Sequence, residues 1–377
     1  MMRVTRKIMF VIIVTMALIF LVGCDNKEKM TPNEDSLVPY IDDEWVAIWA
    51  DEFNGDTLDL KKWTYEIDGN GGGNQELQYY TNKNAIVSNG TLKIVAKKEN
   101  MQGRSYTSSR LVTKYKGDFK YGRIVASAKM PSGKGVWPAI WMMPTDNKYG
   151  IWPNSGEIDI MEYVGYDANR FHTSIHTTKY NHTQGTQQTF SKTVKNAETE
   201  FHKFELIWEP GKIESYIDDV KYGTFKYTAA YNQDVEYDDA FPFDQRFFLI
   251  LNLAIGGTWG GAQGVDNNIF PATFEIDYVR VYQKDYNYYD EEKPGKVEDI
   301  KASTSLLNSI YWKESSDDYG IDYYNVYVDD EFYVKTNLSQ VLLKRFAKGS
   351  KHTITIEAVD FVGNKSEISD SFVYVIK

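Results

Sequence analysis

The 377-residue chain contains a single cysteine, Cys24, so no disulfide within the chain can hold the fold. It also lacks an excess of basic residues. Against 53 Asp and Glu stand 42 Lys and Arg, a formal net charge of −11 that argues against nucleic acid or an anionic membrane surface as the partner and favours a neutral ligand. Beyond Trp45 no stretch sustains a helical period for three turns, which argues against an α or α/β fold. What the chain has in plenty is aromatic side chains, 28 Tyr, 19 Phe and 9 Trp. Large β-sandwich cores use aromatics heavily, and so do sugar-binding clefts, where flat rings stack on the apolar faces of pyranoses.

The first residues, "MMRVTRKIMFVIIVTMALIFLVGCDNKEK", place basic Arg3, Arg6 and Lys7 before an apolar run from Ile8 to Val22. That run is shorter than the ~20 residues of a spanning helix and fits an export signal over 1–23. It ends in "LVGC", which resembles the lipobox of bacterial lipoproteins and implies lipidation at Cys24. The expectation is an exported protein tethered by Cys24 to a bacterial cell envelope or cell surface, with residues 24–43 as a flexible spacer containing Pro32 and Pro39. A chance cysteine beside an ordinary signal peptide is the alternative.

From 44 to 284 short period-2 runs alternate with Gly, Asn and Asp clusters, the pattern of an all-β sandwich or barrel. "TLKIVAKK" places Leu92, Ile94 and Ala96 on one face, and "RFFLILNLAIGG" is apolar throughout, as expected of a central strand covered on both sides. The acidic segment around 285–294, with Pro294-Gly295 after it, marks a linker. Beyond it, 295–377 alternates again, with Trp312 as a candidate core anchor. "HTITIEAVDFVGNKSEIS" resembles a fibronectin type III module. A spacing or stabilising role is one reading of that module, and sugar binding through an exposed aromatic platform is another.

The chemistry concentrates in "NSGEIDIMEYVGYD", positions 154–167. In a regular strand Glu157 and Asp159 point one way and Glu162, five residues after the first, points the other. Ile158, Ile160, Met161 and Val164 make the intervening face apolar, so the acids line something open rather than a solvated edge. Calcium ligands come from loops that curl round the ion, which makes this row a poor cation site. Retaining glycoside cleavage fits better, because it needs an ionised nucleophile and a protonated acid about 5–5.5 Å apart. All three acids can serve only if one residue is extruded, and a β-bulge at Ile160 or Met161 would do this.

"GEIDIMEYVG" resembles the signature of glycoside hydrolase family 16, in the form with an inserted Met found in its endo-β-1,3-glucanases, or laminarinases. The resemblance continues through "IWADEFNG" at 48–55, "GNQELQYYT" at 73–81, "YTSSRL" at 106–111, "GKGVWPAIWMMP" at 133–144, "IHT" at 175–177 and "NLAIGGTWGGAQGVDNNIFPATFEIDYVRVYQ" at 252–283. It implies a β-jelly-roll sandwich whose concave sheet carries the cleft. Glu157 would be the nucleophile, Asp159 the assisting acid and Glu162 the general acid/base. It further implies substrate contacts at Asn74, Arg110, Trp137, Trp141, His176, Trp259 and Gln263. No cofactor is needed for catalysis, but the resemblance implies a structural Ca²⁺ on the convex side, held by the Glu52 backbone oxygen, the Gly90 carbonyl and Asp277; a salt bridge from Asp277 to Arg or Lys is the alternative.

One departure stands out. Family members often have "YGRFEARIKLPSG" where this chain has "YGRIVASAKMPSG", so Val125 and Ser127 replace a Glu and an Arg. If those positions shape the cleft, the substrate would be a decorated or mixed-linkage glucan. The function expected is retaining endo-hydrolysis of β-1,3-glucan by a monomer. A β-1,3-1,4-glucan hydrolase and a non-catalytic glucan-binding lipoprotein are the alternatives.

Overall fold

Strands with one apolar row each must bury that row against another layer, and between Trp45 and Lys284 they do so as two antiparallel sheets face to face. The computed structural model describes residues 45–227, 237–284, 292–317, 321–336, 338–360 and 363–377. The expected signal, Cys24, the spacer and most of the linker lie outside the described residues.

The first sheet runs Val220–Lys226, Lys212–Ile217, His202–Glu209, Gly122–Lys129, Ala272–Lys284, Thr91–Ala96 and Ala85–Ser88, with Trp45–Asp51 also paired to Ala272–Lys284. The second runs Gln188–Thr193, Arg170–His176, Glu157–Tyr163, Val136–Pro144, Phe247–Ile255, Arg110–Val112 and Thr64–Glu66, with Asp118–Phe119 beside Phe247–Ile255. Leu92, Ile94, Ile124, Ile140, Leu251 and Phe274 meet between them in one core. This is the jelly-roll sandwich that the sequence leads one to expect. The Phe247–Ile255 strand is buried at every position. Phe247, Leu249, Leu251, Leu253 and Ile255 enter the shared core. On the opposite side Phe248 and Ile250 are covered by Val112, Trp141 and Met143, and Ala254 by Trp137, Val164 and Trp259. Aromatic rings therefore roof part of the outer face of the second sheet.

The parity problem in "GEIDIME" is resolved by an irregularity of the strand. Against Arg170–His176, the residues Glu157, Ile158 and Asp159 stand opposite His176, Ile175 and Ser174, while Glu162 and Tyr163 stand opposite His172 and Phe171. Ile160 and Met161 therefore share the space of one partner, and against Val136–Pro144 the register slips at the same point, between Met161 and Asp159. Both extra-pair side chains enter the core with Ile158 and Tyr163. Burying two consecutive apolar residues holds the bulge, since flattening it would turn either a large apolar side chain or a carboxylate to the wrong face.

Val125 and Ser127 do not shape the cleft. Their neighbours Ile124, Ala126 and Ala128 fill the shared core. Val125 packs instead with Trp45, Ala47 and Tyr282 on the far face of the first sheet, where Ser127 Oγ lies 3.5 Å from Asp277 Oδ2. The replacements sit on the side of the sandwich away from the carboxylates, so the substrate inference drawn from them falls.

The chain from 292 onward forms a three-stranded sheet (Glu298–Ala302, Ser309–Lys313, Gln340–Leu342) and a four-stranded one (Glu331–Thr336, Ile321–Val328, Lys351–Asp360, Phe372–Val375). They enclose a separate core of Val297, Ile310, Tyr324, Val326, Ile354 and Ile356 around Trp312, which sits edge-on to Tyr324 at 5.2 Å. Trp312 is the core anchor expected of it.

Candidate active site

The strand that carries the acids begins at a forced turn. Gly156 has φ +86°, and a Cβ there would lie 2.8 Å from the Phe243 ring, so only glycine lets the chain enter the strand at this angle. From that entry Glu157, Asp159 and Glu162 all face an open cleft of roughly 360 Å³ on the outer side of the second sheet. The neighbouring Val136–Pro144 strand contributes Trp137, Ala139 and Trp141, of which Ala139 is in register with Glu162 and Trp141 with Asp159. Asn252 and Ala254 come from the central strand, Arg110 from the next, and Gly72, Asn74 and Glu76 from the loop above them.

Each acid has its own surroundings. Glu157 Oε2 accepts the indole N–H of Trp152 at 2.5 Å, and Glu162 Oε1 accepts that of Trp137 at 3.2 Å. Asp159 is 2% exposed, and its Oδ2 lies 3.2 Å from His176 Nε2. Burial pushes Glu157 up to about 8, with the neighbouring Asp159 charge adding to the rise and His176 and the Trp152 N–H opposing it. Burial likewise pushes Asp159 up to about 7. Glu162 is raised well above the ordinary carboxylate range, first by burial and then by Asp159 and Glu157. Three acids so placed cannot all be ionised at neutral pH; the cluster keeps protons, which is what an acid catalyst beside a nucleophile requires.

Most of the expected substrate contacts assemble here. Arg110 lies 4.8 Å over the Trp141 ring and pairs through Nε with Glu66 Oε2 at 2.6 Å. Asn74 lines the cleft, and its Nδ2 donates to the Gly72 carbonyl of its own loop at 3.4 Å. Trp137 and Trp141 face the same way, as their spacing predicts, although Trp137 is only 8% exposed and serves Glu162 as a donor as well as lining the cleft. Trp259 meets Trp137 edge-on at 5.4 Å and His172 at 5.0 Å. Gln263 is exposed in the following turn and is not among the residues lining the cleft.

Other participants have no motif to announce them. Trp141 Nε1 donates to Asn252 Oδ1 at 2.7 Å, Asn252 Nδ2 to Tyr80 Oη at 3.0 Å, and Tyr80 Oη to Glu76 Oε2 at 3.0 Å, a relay that fixes the Trp141 plane. Trp152 and His182 reach the Glu157 side of the cleft from loops, where strand periodicity gives no signal. Among the described residues, Glu157, Asp159 and His176 form the one cluster of three acidic or imidazole side chains whose ligand atoms lie within 4.8 Å of one another.

The residues expected to hold calcium lie on the far face. Glu52 uses its carboxylate in a two-bonded pair with Arg280, Oε1 to Nε and Oε2 to Nη2, each at 2.7 Å, so only its backbone oxygen is left for a cation. Gly90, at φ +73°, turns beside Asn54, whose Oδ1 would be 3.9 Å from an added Cβ. Asp277 sits where its strand slips register between Ile276 and Tyr278. Burial raises it and the Glu52 charge adds to the rise. Two carbonyl oxygens and a carboxylate are oxygen donors of the type Ca²⁺ takes.

The profile of glycosyl hydrolases family 16 matches residues 73–280. The chain belongs to this family. Over 245 residues it is 47% identical to a beta-glucanase of Rhodothermus marinus, covering 63% of this chain and 85% of the relative. It is 38% identical over 261 residues to the glucan endo-1,3-beta-glucosidase A1 of Niallia circulans, covering 63% of this chain and 38% of that longer protein. The X-ray structure of the laminarinase from Rhodothermus marinus superposes with a TM-score of 0.62 at 48% identity, covering 64% of this chain and 98% of that one. This family 16 chain is thus a glycoside hydrolase, and its cleft is where the family's jelly roll and the three carboxylates coincide.

The raised carboxyls have a consequence for stability. A buried acid whose folded pKa exceeds its unfolded value destabilises the fold at pH values where the unfolded chain ionises it, so the cost is absent well below the unfolded value and complete above the folded one. For Glu157 that window runs from 4.5 to about 8. Glu157→Gln is expected to raise the thermal midpoint over the parent protein at about pH 8.5 and to leave it nearly unchanged at about pH 4, as read by differential scanning fluorimetry. A gain that is larger at the acidic end would contradict the burial argument.

Proposed function

We propose that the chain is an endo-β-1,3-glucanase that cleaves by double displacement with retention of configuration. The observation that carries this reading is the bulged strand, which gathers three proton-sharing carboxylates on one side of an aromatic-lined cleft. The linkage is supported by similarity to the glucan endo-1,3-beta-glucosidase A1 of Niallia circulans and the laminarinase of Rhodothermus marinus.

In the first step Glu157 attacks the anomeric carbon while Glu162 gives its proton to the departing glycosidic oxygen, so the C–O bond to the leaving sugar breaks as the bond to Glu157 forms. In the second step Glu162, now ionised, takes a proton from water, and the hydroxide equivalent displaces Glu157 from the same face that the leaving group occupied. Asp159, with its Oδ2 3.2 Å from His176 Nε2, accepts and returns proton density between its neighbours. The Trp137 N–H steadies Glu162 through the exchange of roles. Trp141, Arg110 and Asn74 would bind the glucose units on the side away from the leaving group. A binding protein would gain nothing from clustering three repelling acids, which weighs against the non-catalytic alternative.

The test is release of reducing sugar from laminarin, lichenan and agar by the full chain. Laminarin is expected to be the best substrate, with Glu157→Gln inactive and Glu162→Ala slower by about 10²–10⁴-fold. Added azide separates the roles with an activated aryl β-glucoside. It enters the Glu157→Ala space directly to give the α-azide, and in Glu162→Ala it captures the glycosyl-enzyme to give the β-azide. The opposite pattern would exchange the two assignments.

A structural Ca²⁺ is the second element of the proposal, with the Glu52 and Gly90 carbonyls and the Asp277 carboxylate as ligands. It would neutralise Asp277 and tie the end of the first strand to the last one. EDTA is expected to lower the thermal midpoint and added Ca²⁺ to restore it; an unmoved midpoint ends the idea.

The leader and "LVGC" support export and lipid anchoring through Cys24 to a cell envelope. Membrane fractionation is expected to retain the parent protein and release Cys24→Ser. A cleft lined by residues of one chain supports a monomer, and the separate two-sheet core beyond residue 292 supports a fibronectin type III-like module.

A further inference from the structure

The three acids are chemically alike and share one face, with Asp159 buried and Glu157 and Glu162 half-buried, yet only one can be the nucleophile. Glu157 and Glu162 each accept one indole N–H, at 2.5 Å and 3.2 Å, and what sets Glu157 apart is the shorter bond and the loop that delivers it. Trp152, in the loop before Glu157, directs its indole N–H at Glu157 Oε2. The loop is fixed independently of the cleft: Asn154 N donates to the Ile151 carbonyl at 2.9 Å, Gly156 N to Pro153 at 3.0 Å, and Gln245 Nε2 to the Ser155 carbonyl at 3.2 Å.

A second loop braces the indole. His182 lies with its ring centroid 5.1 Å from that of Trp152, tilted by 38°, and it meets His176 edge-on at 5.2 Å. Its short 3₁₀ turn, His182–Gln184, is built on the fully buried Asn181. Asn181 Oδ1 accepts from Thr183 Oγ1 at 2.6 Å and from Gln184 N at 3.2 Å, and its Nδ2 donates to the Thr177 carbonyl at 3.1 Å. Thr178 Oγ1 and Asn154 Oδ1, 3.2 Å apart, join the two loops directly.

Resting on the assignment of Glu157 as nucleophile, we propose that Trp152, braced by His182, is a positioning residue that holds one oxygen of Glu157 and leaves the other to attack the anomeric carbon. The physical reason is twofold. A single fixed N–H removes the rotational freedom of the carboxylate, so the attacking lone pair is aimed before substrate arrives. The bond also favours the ionised form of the acid that receives it, opposing the desolvation and the repulsion that would keep that acid protonated. The charged and titratable groups that face Glu157 among the described residues are Asp159 and Glu162 on its own strand and His176 on the neighbouring one, with His182 beyond the indole.

Trp152→Phe keeps the ring and deletes the donor. It is expected to lower kcat by about tenfold or more, the worth of one hydrogen bond to a charged group, with little change in KM. The acidic limb of the kcat/KM profile should move to higher pH, because Glu157 becomes harder to ionise, while the alkaline limb, set by Glu162, stays in place. His182→Ala, which removes the ring that braces the indole, should shift the acidic limb in the same direction by a smaller amount, and His182→Phe, which preserves the ring contact, should shift it less than His182→Ala does. A folded Trp152→Phe enzyme whose acidic limb does not move overturns the proposal. If that variant does not fold, an unmoved limb in His182→Ala overturns it instead. Full activity in Glu157→Gln would show that the nucleophile assignment itself is wrong; an inactive Glu157→Gln beside an unmoved limb would reject the role of Trp152 alone.

Discussion

Mutual repulsion among three clustered carboxylates is the constraint to which the cleft is fitted. Placing Glu157, Asp159 and Glu162 on one strand face brings charges together in a region from which water is largely excluded, where each acid resists ionisation and each ionised neighbour makes it worse. Among the described residues no Lys or Arg forms an ion pair with any of the three acids. Arg110 is the guanidinium that lines the cleft, and its Nε is already paired with Glu66. The donors aimed at the acids are instead two indole N–H groups, and His176 Nε2 lies 3.2 Å from Asp159 Oδ2 without hydrogen-bond alignment. Weak donors leave the cluster holding protons, whereas an arginine would have driven every acid to its ionised form. The proton needed for the leaving group is thus retained by the choice of donors as much as by burial.

The bulge links this electrostatics to the fold. The same two residues that turn Glu162 back to the cleft, Ile160 and Met161, are both packed in the shared core. The site cannot relax its crowding by straightening the strand without exposing apolar surface or burying a charge, and either change costs more than a typical single contact returns. Catalytic strain and core packing are in this sense one interaction viewed from the two faces of a sheet.

How much of this was legible in the sequence depends on whether a residue's role follows from local periodicity. The central strand 247–255, the facing pair Trp137 and Trp141, and the bulge itself could be read from alternation and its one failure, because each is decided within a single strand. The pairing of His176 beside Glu157 was reachable from strand order. Trp152, His182, Tyr80 and Glu76 were not, since they meet the site through loops and long-range bonds that leave no periodic trace. Val125 and Ser127 show the converse error. A departure from a family pattern looks important in one dimension, but alternation puts both residues on the face away from the cleft while Ile124, Ala126 and Ala128 fill the core. Period-2 alternation along 122–129 by itself assigns Val125 and Ser127 to the outer face.

The aromatic excess also gains a more specific meaning. The cleft-side tryptophans are neither plain core nor free stacking platforms. Trp137 is nearly covered and donates to Glu162, Trp141 is locked through Asn252 and Tyr80 to Glu76, and Trp152 donates to Glu157. An indole suits all three positions because it combines a broad apolar face for a sugar ring with one donor and no acceptor, so it can orient a carboxylate without competing for its proton. Tyrosine in the same place could give up or accept a proton, and histidine could add charge. In a cleft whose chemistry depends on which of three acids holds a proton, a donor that never titrates keeps the choice among the acids themselves.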